Sequence, residues 1–506
     1  MTDQQPLPPL SISPLVAGLL LTALAGFVAW ANFGYAYDDA FITYRVAYNF
    51  ASGQGLVYNP GEWFQSSTSP GLALLVGLGG KVFGPDAVPL VGSIISPIAL
   101  WMAGLALYVY GARTGYASSG LFAGLLLIAN QMMAFTSGGE MPLQMALILW
   151  AFVAYVSEWR ISSALLLAAA TVVRPDGVMA VAVLGLFDLI RTRRIAWRMW
   201  LTFAIAVVPF LVLAWIYYGT PLPNSLAAKL AHRDAELWMT FGKRLRGWLN
   251  EFMGPYGQPA TWEFVSWDPR ALGFWVAVGL PAMIWARAWW LPVAWSIAFT
   301  LAYRQLHVPF YHWYAAPPVL GLVIIAAVGI DTTFRFLIRL FTRGSRPQPL
   351  RPVIPVFAMS LAVLCCLGIN LLTLRTLRTT SRQHSTLQIY EQTGRWIDAN
   401  TQPAATIGYF EIGYLGYYAH RRIVDPLGLV DPAIPPHVAK RDFQWAYREY
   451  LPDYILERSG NSFGGIRTES WFMRDYQPIQ TFTHPQSDVS VTVFQRVAAR
   501  PAVALH

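Results

Sequence analysis

The sequence predicts an all-α polytopic membrane domain of about eleven transmembrane helices, followed by a small α/β domain outside the membrane. Three observations predict it. Of 506 residues, 55% are hydrophobic and only 12% charged, about half the charged share of a soluble globular protein, and the mean hydropathy is positive. Apolar runs long enough to span a bilayer recur between residues 13 and 374. After residue 375 the composition turns polar and no further run occurs. These features exclude a soluble enzyme, a disordered chain and a disulfide scaffold. The net charge is +9, carried almost wholly by arginine, since only Lys81, Lys229, Lys243 and Lys440 are lysines. A basic balance points to nucleic acid only when it lies on one face of a soluble domain. Here the arginines sit between apolar runs, so no nucleic-acid partner is expected. Cys365 and Cys366 are adjacent within an apolar run, which disfavours a disulfide or zinc site.

Residues 1–14 lack the basic stretch of a cleaved signal, and 13–33 reads as an uncleaved first helix. Further spans are expected near 86–111, 115–136, 141–158, 161–174, 177–190, 198–218, 271–286, 289–303, 314–334 and 352–374. The run 68–84 is short, glycine-rich and holds Pro70 and Lys81, so it is expected to lie at the interface without crossing. With a cytoplasmic N-terminus, the short cytoplasmic loops then hold Arg113, Arg160, Arg191, Arg193, Arg194, Arg198, Arg287, Arg335, Arg339, Arg343, Arg346 and Arg351, as the positive-inside rule requires. A crossing at 68–84 would put the arginine cluster at 191–198 outside. The long loop 219–270 is external in this arrangement despite Lys229, Arg233, Lys243, Arg244 and Arg246, and long loops count for little in the rule. The segments 406–418 (TIGYFEIGYLGYY) and 491–497 (VTVFQRV) read as strands of the C-terminal domain, taken as 376–506. The membrane domain is taken as 1–375, with a large first external loop at 34–85. The placement is a multi-pass protein of the cell (inner or plasma) membrane.

Several polar residues then fall on the external side. Asp38 and Asp39 directly follow the first span, and a helix starting there puts Asp38, Ile42, Arg45 and Asn49 on one face. Tyr44 and Tyr48 suit a headgroup boundary. Capping of a helix N-terminus explains one aspartate, but not readily a pair beside a membrane. Glu140 lies between spans three and four, and Arg174 and Asp176 between spans five and six. A turn salt bridge with Pro175 and Gly177, or a favourable helix-end charge, is the plain account of these. At the head of span ten come His307, Tyr311, His312, Trp313 and Tyr314. The two histidines are not at a helical metal spacing. An aromatic belt accounts for Trp313, though not for Tyr311 or His312. Asn224 and Lys229 occur in the loop motif PLPNSLAAKL. Lys229 could meet a phosphate, while a solvated lysine is the simpler account.

Six separated segments thus suggest a polar cavity above the membrane, roofed by the C-terminal domain. Nucleotide-activated sugars are cytosolic, so a lipid-linked donor fits an external site better. Here the sequence resembles a known family. YDDAFITYRVAYNFASGQGLVYNPGE followed by SSTSPGLALL is similar to the first loop of GT-C membrane glycosyltransferases, in the branch of bacterial arabinofuranosyltransferases. SGGEMPL, VRPDG, YHWYAAP and DPLGLVDP are similar to motifs of that branch. The resemblance implies a polyprenyl-phosphate-linked sugar donor, an extracytoplasmic glycan, lipid or protein acceptor, and an acidic residue of the first loop as base. That matches Asp38 and Asp39, and replacing either by Asn is expected to abolish transfer. The base would deprotonate the acceptor hydroxyl in a single, inverting displacement. Arg45, Arg174 and Lys229 are candidates for stabilising the departing phosphate. Glu140 and Asp176 are expected to support binding, and Tyr311 and His312 to touch donor phosphate or sugar. Whether a divalent metal takes part is left open. The competing function is a transporter or flippase of a lipid-linked sugar. It would favour inverted repeats and mid-helix charges, whereas no repeat is visible and the charges sit at helix ends.

Overall fold

The structure, a computed structural model, describes residues 12–246, 260–261, 266–267, 270–342, 353–377, 381–460 and 462–497. Residues 1–11, Arg343, Arg346 and Arg351 of the patterns above, with parts of the 219–270 loop and the stretch 378–380 beside the expected domain border, lie outside the described residues.

Helix α1 (Pro14–Ala31) begins at Ser13, whose hydroxyl accepts from the Val16 amide, with Pro14 in the first turn. Helix α2 (Asp38–Ala51) starts at the aspartate pair, as its spacing predicts. Helix α3 (Pro70–Phe83) has 14 residues, about 21 Å. It packs along α2. Then follow α4 (Val88–Thr114), α5 (Ala117–Ile128), α6 (Gln131–Phe135), α7 (Met141–Val156), α8 (Arg160–Val173), α9 (Val178–Thr192), α10 (Trp197–Tyr218) and α11 (Asn224–Asp234). A small antiparallel pair, β1 (Ala260–Thr261) and β2 (Ser266–Trp267), precedes α12 (Arg270–Ala282), α13 (Trp290–Gln305), α14 (Ala316–Thr342) and α15 (Val353–Leu377).

A helix stands at each place where the sequence marks a span. Among the described residues, four are long and apolar enough to cross: Pro14–Ala31, Pro85–Thr114, Trp197–Tyr218 and His312–Leu340. The pair α12 and α13, bent by 113°, makes a fifth if counted as one span. The other apolar helices are shorter: α5, α7 and α8 have 12, 16 and 14 residues, about 18–24 Å each. Burial sorts them. Helix α5 is buried along its whole length and packs on α4 and α14, so it forms the centre. Helix α10 buries only Met199, Val207 and Ala214 and lies at the periphery.

The C-terminal region opens with α16 (Ser381–Asn400) and holds a mixed sheet of order β4-β3-β5-β7-β6. Strand β3 (Thr406–Gly408) runs parallel to β4 (Arg422–Val424) and β5 (Tyr454–Arg458). Strand β7 (Ser490–Arg496) is antiparallel to β5 and to β6 (Tyr476–Thr483). The run from 406 to 418, read as strand, divides. Only 406–408 is strand, and Tyr414–Ala419 is helix α17. Its tyrosines recur at 414, 417 and 418, a helical period, and all three rings pack on Phe41 of α2.

The first loop is bolted to this domain. Tyr58 donates to the Ile412 carbonyl at 2.6 Å. The Asn59 side chain exchanges two hydrogen bonds of 3.0 Å with the backbone of Ile423 in β4. Glu62 pairs with Arg422 at 2.6 Å. Tyr44, expected at a headgroup boundary, is fully buried and donates to the Gly138 carbonyl at 2.7 Å. Tyr48 lies against Tyr417 and His420 of the C-terminal domain.

Candidate active site

The two aspartates of α2 point to different neighbours. The Asp38 carboxylate accepts from two successive amides of the C-terminal domain, Gly413 at 3.1 Å and Tyr414 at 2.9 Å. Residue 413 must be glycine, because a Cβ there would strike the Asp38 backbone. Asp39, one residue on, accepts no hydrogen bond from any described residue and lines a cleft of about 30 Å³. Around it stand Tyr37, Thr43, Ser66, Thr68, Ser69, Glu140, Ser225, Lys229, Trp313 and Leu429. Burial, then the negative charge of Asp38, push Asp39 up to about 7, against the pull of Lys229. Asp38 is pushed up to about 6 by burial, and its two amide bonds hold it back.

Lys229 is buried and reaches the cleft from α11. Its ammonium lies 5.4 Å from the ring centres of both Tyr311 and Tyr314. No described residue gives it a hydrogen bond or an ion pair. The solvated lysine is therefore corrected to a buried, unpaired cation. Beside it, Thr68 and Ser69 bring the N-terminus of α3 to the cleft, where no side chain caps that helix. A buried ammonium and an uncapped helix N-terminus both favour an anion.

Arg45 and Arg174 are placed elsewhere than expected. Arg45 is buried and stacks 4.4 Å over Tyr58. It donates to the carbonyls of Tyr58, Gly416 and Arg421 and to Asn59, so its three nitrogens are all engaged in holding the first loop to the C-terminal domain. Arg174 pairs with Glu140 and, at 2.7 Å, with Asp176. Tyr303 donates to Asp176 at 2.5 Å, and Gln144 donates to its other oxygen at 2.6 Å. Burial alone would raise the Asp176 pKa, but the Arg174 guanidinium and these donors hold it below the usual range. Glu140 reaches the cleft wall from this network, brought there by a turn at Gly138 whose φ of +83° and contact with Ala36 both demand glycine. Of this group only Glu140 lines the cleft.

The aromatic residues that lead into α14 form a wall, and Trp313 is not exposed as a membrane belt requires. Trp313 is buried, and its ring stacks between Tyr37 at 5.2 Å and Tyr311 at 4.9 Å. His312 turns away from the cleft, with Nε2 3.3 Å from the Phe135 carbonyl and its ring edge-on to Tyr37. Tyr311 carries Lys229 on one side, and its hydroxyl lies 3.2 Å from His232 Nδ1.

The sequence did not single out three residues near the site. His232 is fully buried on α11. Its signal was its spacing with Ser225 and Lys229, at one helical face. Asp425 sits in DPLGLVDP and folds that loop onto itself by accepting from the Leu427 amide at 2.9 Å and the Leu429 amide at 2.6 Å. Burial pushes it up to about 7. Glu411, 3.6 Å from Arg458, is pushed up to about 8 by burial and by Asp38. A lone charge in the aromatic run FEIGY was the available signal. Among the described residues no three His, Cys, Asp or Glu side chains converge to hold a metal ion.

The profile of a family described as a domain of unknown function, DUF8728, matches residues 375–500. No curated protein matches the sequence. Among solved structures, ArnT from Cupriavidus metallidurans in the apo state matches with a TM-score of 0.58 at 13% identity, covering 94% of this chain and 97% of that one. The same protein bound to undecaprenyl phosphate gives 0.53 at 13% identity, covering 95% and 98%. The oligosaccharyltransferase of Archaeoglobus fulgidus, in the apo form, gives 0.55 at 12% identity, covering 88% of this chain and 69% of that one. Over most of its length the chain has the fold of GT-C membrane glycosyltransferases.

Proposed function

We propose that the protein moves a sugar from a polyprenyl-phosphate-linked donor to an acceptor hydroxyl on the extracytoplasmic side of the membrane, with Asp39 as the general base. One observation carries this reading: an unpartnered carboxylate and an unpartnered ammonium, Asp39 and Lys229, face the same cleft. Asp39, at about 7, is poised to accept a proton near neutrality. In the step, the Asp39 carboxylate takes the hydroxyl proton and the acceptor oxygen bonds to the anomeric carbon. The bond from that carbon to the phosphate oxygen breaks, and its electron pair leaves on the phosphate. Charge grows there, and Lys229 with the N-terminus of α3 stabilises it. A single displacement inverts the anomeric centre. Asp38, engaged with two amides, anchors the C-terminal domain and raises the basicity of its neighbour. Glu140, held by Arg174, shapes the cleft wall, with Asp176 behind it. Arg45 acts as a tether, and His312 as a prop for the aromatic wall.

The topology in this reading has a cytoplasmic N-terminus and crossings at all the predicted spans. The cleft and a C-terminal unit, 376–506, then lie outside, beyond a membrane unit of 1–375. The arginine distribution supports it, and the fold of the undecaprenyl-phosphate-binding relative supports the donor class. The test is to give the purified protein a panel of polyprenyl-phosphate sugars and follow released polyprenyl phosphate by mass spectrometry. Release from one donor is expected and names the sugar. Tight donor binding without release, even with crude envelope acceptors present, would move the reading to transport.

A further inference from the structure

His232 makes two hydrogen bonds that fix its protonation. Its Nε2 lies 2.8 Å from the Leu427 carbonyl, and its Nδ1 3.2 Å from the Tyr311 hydroxyl. A carbonyl only accepts, so Nε2 carries the proton. Nδ1 is then bare and accepts a hydrogen bond from the tyrosine hydroxyl. Burial disfavours the imidazolium and lowers the pKa to about 4, with Lys229 adding to the effect.

One neutral ring therefore grips two parts of the site. Tyr311 lies beneath the Lys229 ammonium and stacks on Trp313. Leu427 belongs to the loop that Asp425 folds, and Leu429 of that loop lines the cleft. Asn224, on the same helix as His232, holds the loop at the Gly428 carbonyl, 2.8 Å away. A histidine filling a core needs neither a hydroxyl under a lysine nor a carbonyl from another domain.

We infer that His232 is a positioning residue for phosphate binding: it locks Tyr311 so that Lys229 faces the cleft, and ties that lysine to the 425–429 loop of the C-terminal domain. The domain of unknown function thereby becomes part of the donor site. The inference rests on the reading that Lys229 meets the donor phosphate.

Binding of undecaprenyl phosphate in detergent tests it without requiring turnover. His232→Ala and Lys229→Met are each expected to weaken binding about tenfold, the order of one lost buried hydrogen bond or charge contact. The double variant should bind no more weakly than Lys229→Met alone, because both changes act on one ammonium. His232→Gln, which offers an N–H donor and a carbonyl acceptor, should restore affinity to within about threefold of wild type. Tyr311→Phe keeps the ring and removes the hydroxyl. It is expected to weaken binding several-fold, and it carries the test if His232→Ala does not fold. Unchanged affinity in a folded His232→Ala or Tyr311→Phe variant overturns the inference. So does an undiminished effect of His232→Ala in the Lys229→Met background. Absence of binding by the wild type overturns both this inference and the reading of Lys229 on which it rests.

Discussion

Replacing Asp38 by Asn separates the two aspartates. The Asp38 charge is the largest contribution after burial to the raised Asp39 pKa of about 7. At an effective dielectric constant of about 20, two unit charges at about 7 Å repel by about 2 kcal/mol, or one to two pKa units. The variant should thus shift the acid limb of the kcat/KM profile down by about one unit, since Asp39 is active when deprotonated and now loses its proton at lower pH. Stability changes in two opposed ways. One of the two amide bonds, to Gly413 or Tyr414, is lost at about 1–3 kcal/mol. Against that, wild-type Asp38 has a folded pKa of about 6 against 3.8. Its raised value adds stability below 3.8 that is lost as pH rises through 6, an unfavourable contribution of about 3 kcal/mol at neutral pH. Asn has no such loss, so net stability at pH 7 should change by less than about 2 kcal/mol. The assays are a pH–rate profile of polyprenyl phosphate release and a thermal melt. A folded Asp38→Asn variant without transfer, or with an unmoved acid limb, would refute this division of labour.

Arg174→Met should be among the most destabilising changes, by about 3–5 kcal/mol, because it strands Glu140 and Asp176 without their buried partner. A melt measures it, and Arg174→Lys should recover little, lacking the planar fork. Arg45→Ala should loosen the C-terminal domain from the first loop by removing its bonds to Gly416 and Arg421. Limited proteolysis should cut it much faster than wild type, while Lys229→Met should stay as resistant as wild type. Tyr58→Phe, which loses the bond to Ile412, should cost about 1 kcal/mol in a melt.

The amino-acid pattern revealed the helices and the start of α2, because each depends on local period. Asp39, Glu140, Lys229 and Trp313 meet at one cleft although their segments are far apart in the chain. The pattern could not reveal which polar groups are already spent. Arg45 and Lys229 look alike as cations on helix faces, yet one is saturated by carbonyls and the other has no hydrogen-bond or ion-pair partner among the described residues. That difference is set by the Ile412–Ile423 stretch of a distant domain. The same cause hid the division between Asp38 and Asp39. The tyrosines at 414–418 were misread as strand because their aromatic content outweighed their 3–4 spacing. The burial of Lys229 and Trp313 was not legible, because no local signal shows that α11 folds over the residues that lead into α14.

The most direct test of the central claim is donor turnover by Asp39→Asn beside wild type, with undecaprenyl phosphate affinity measured on both. Asn keeps the shape and removes the base. The account predicts a fall in polyprenyl phosphate release of about 10²–10⁴-fold with affinity nearly unchanged. Transfer within a few-fold of wild type in that variant would contradict it.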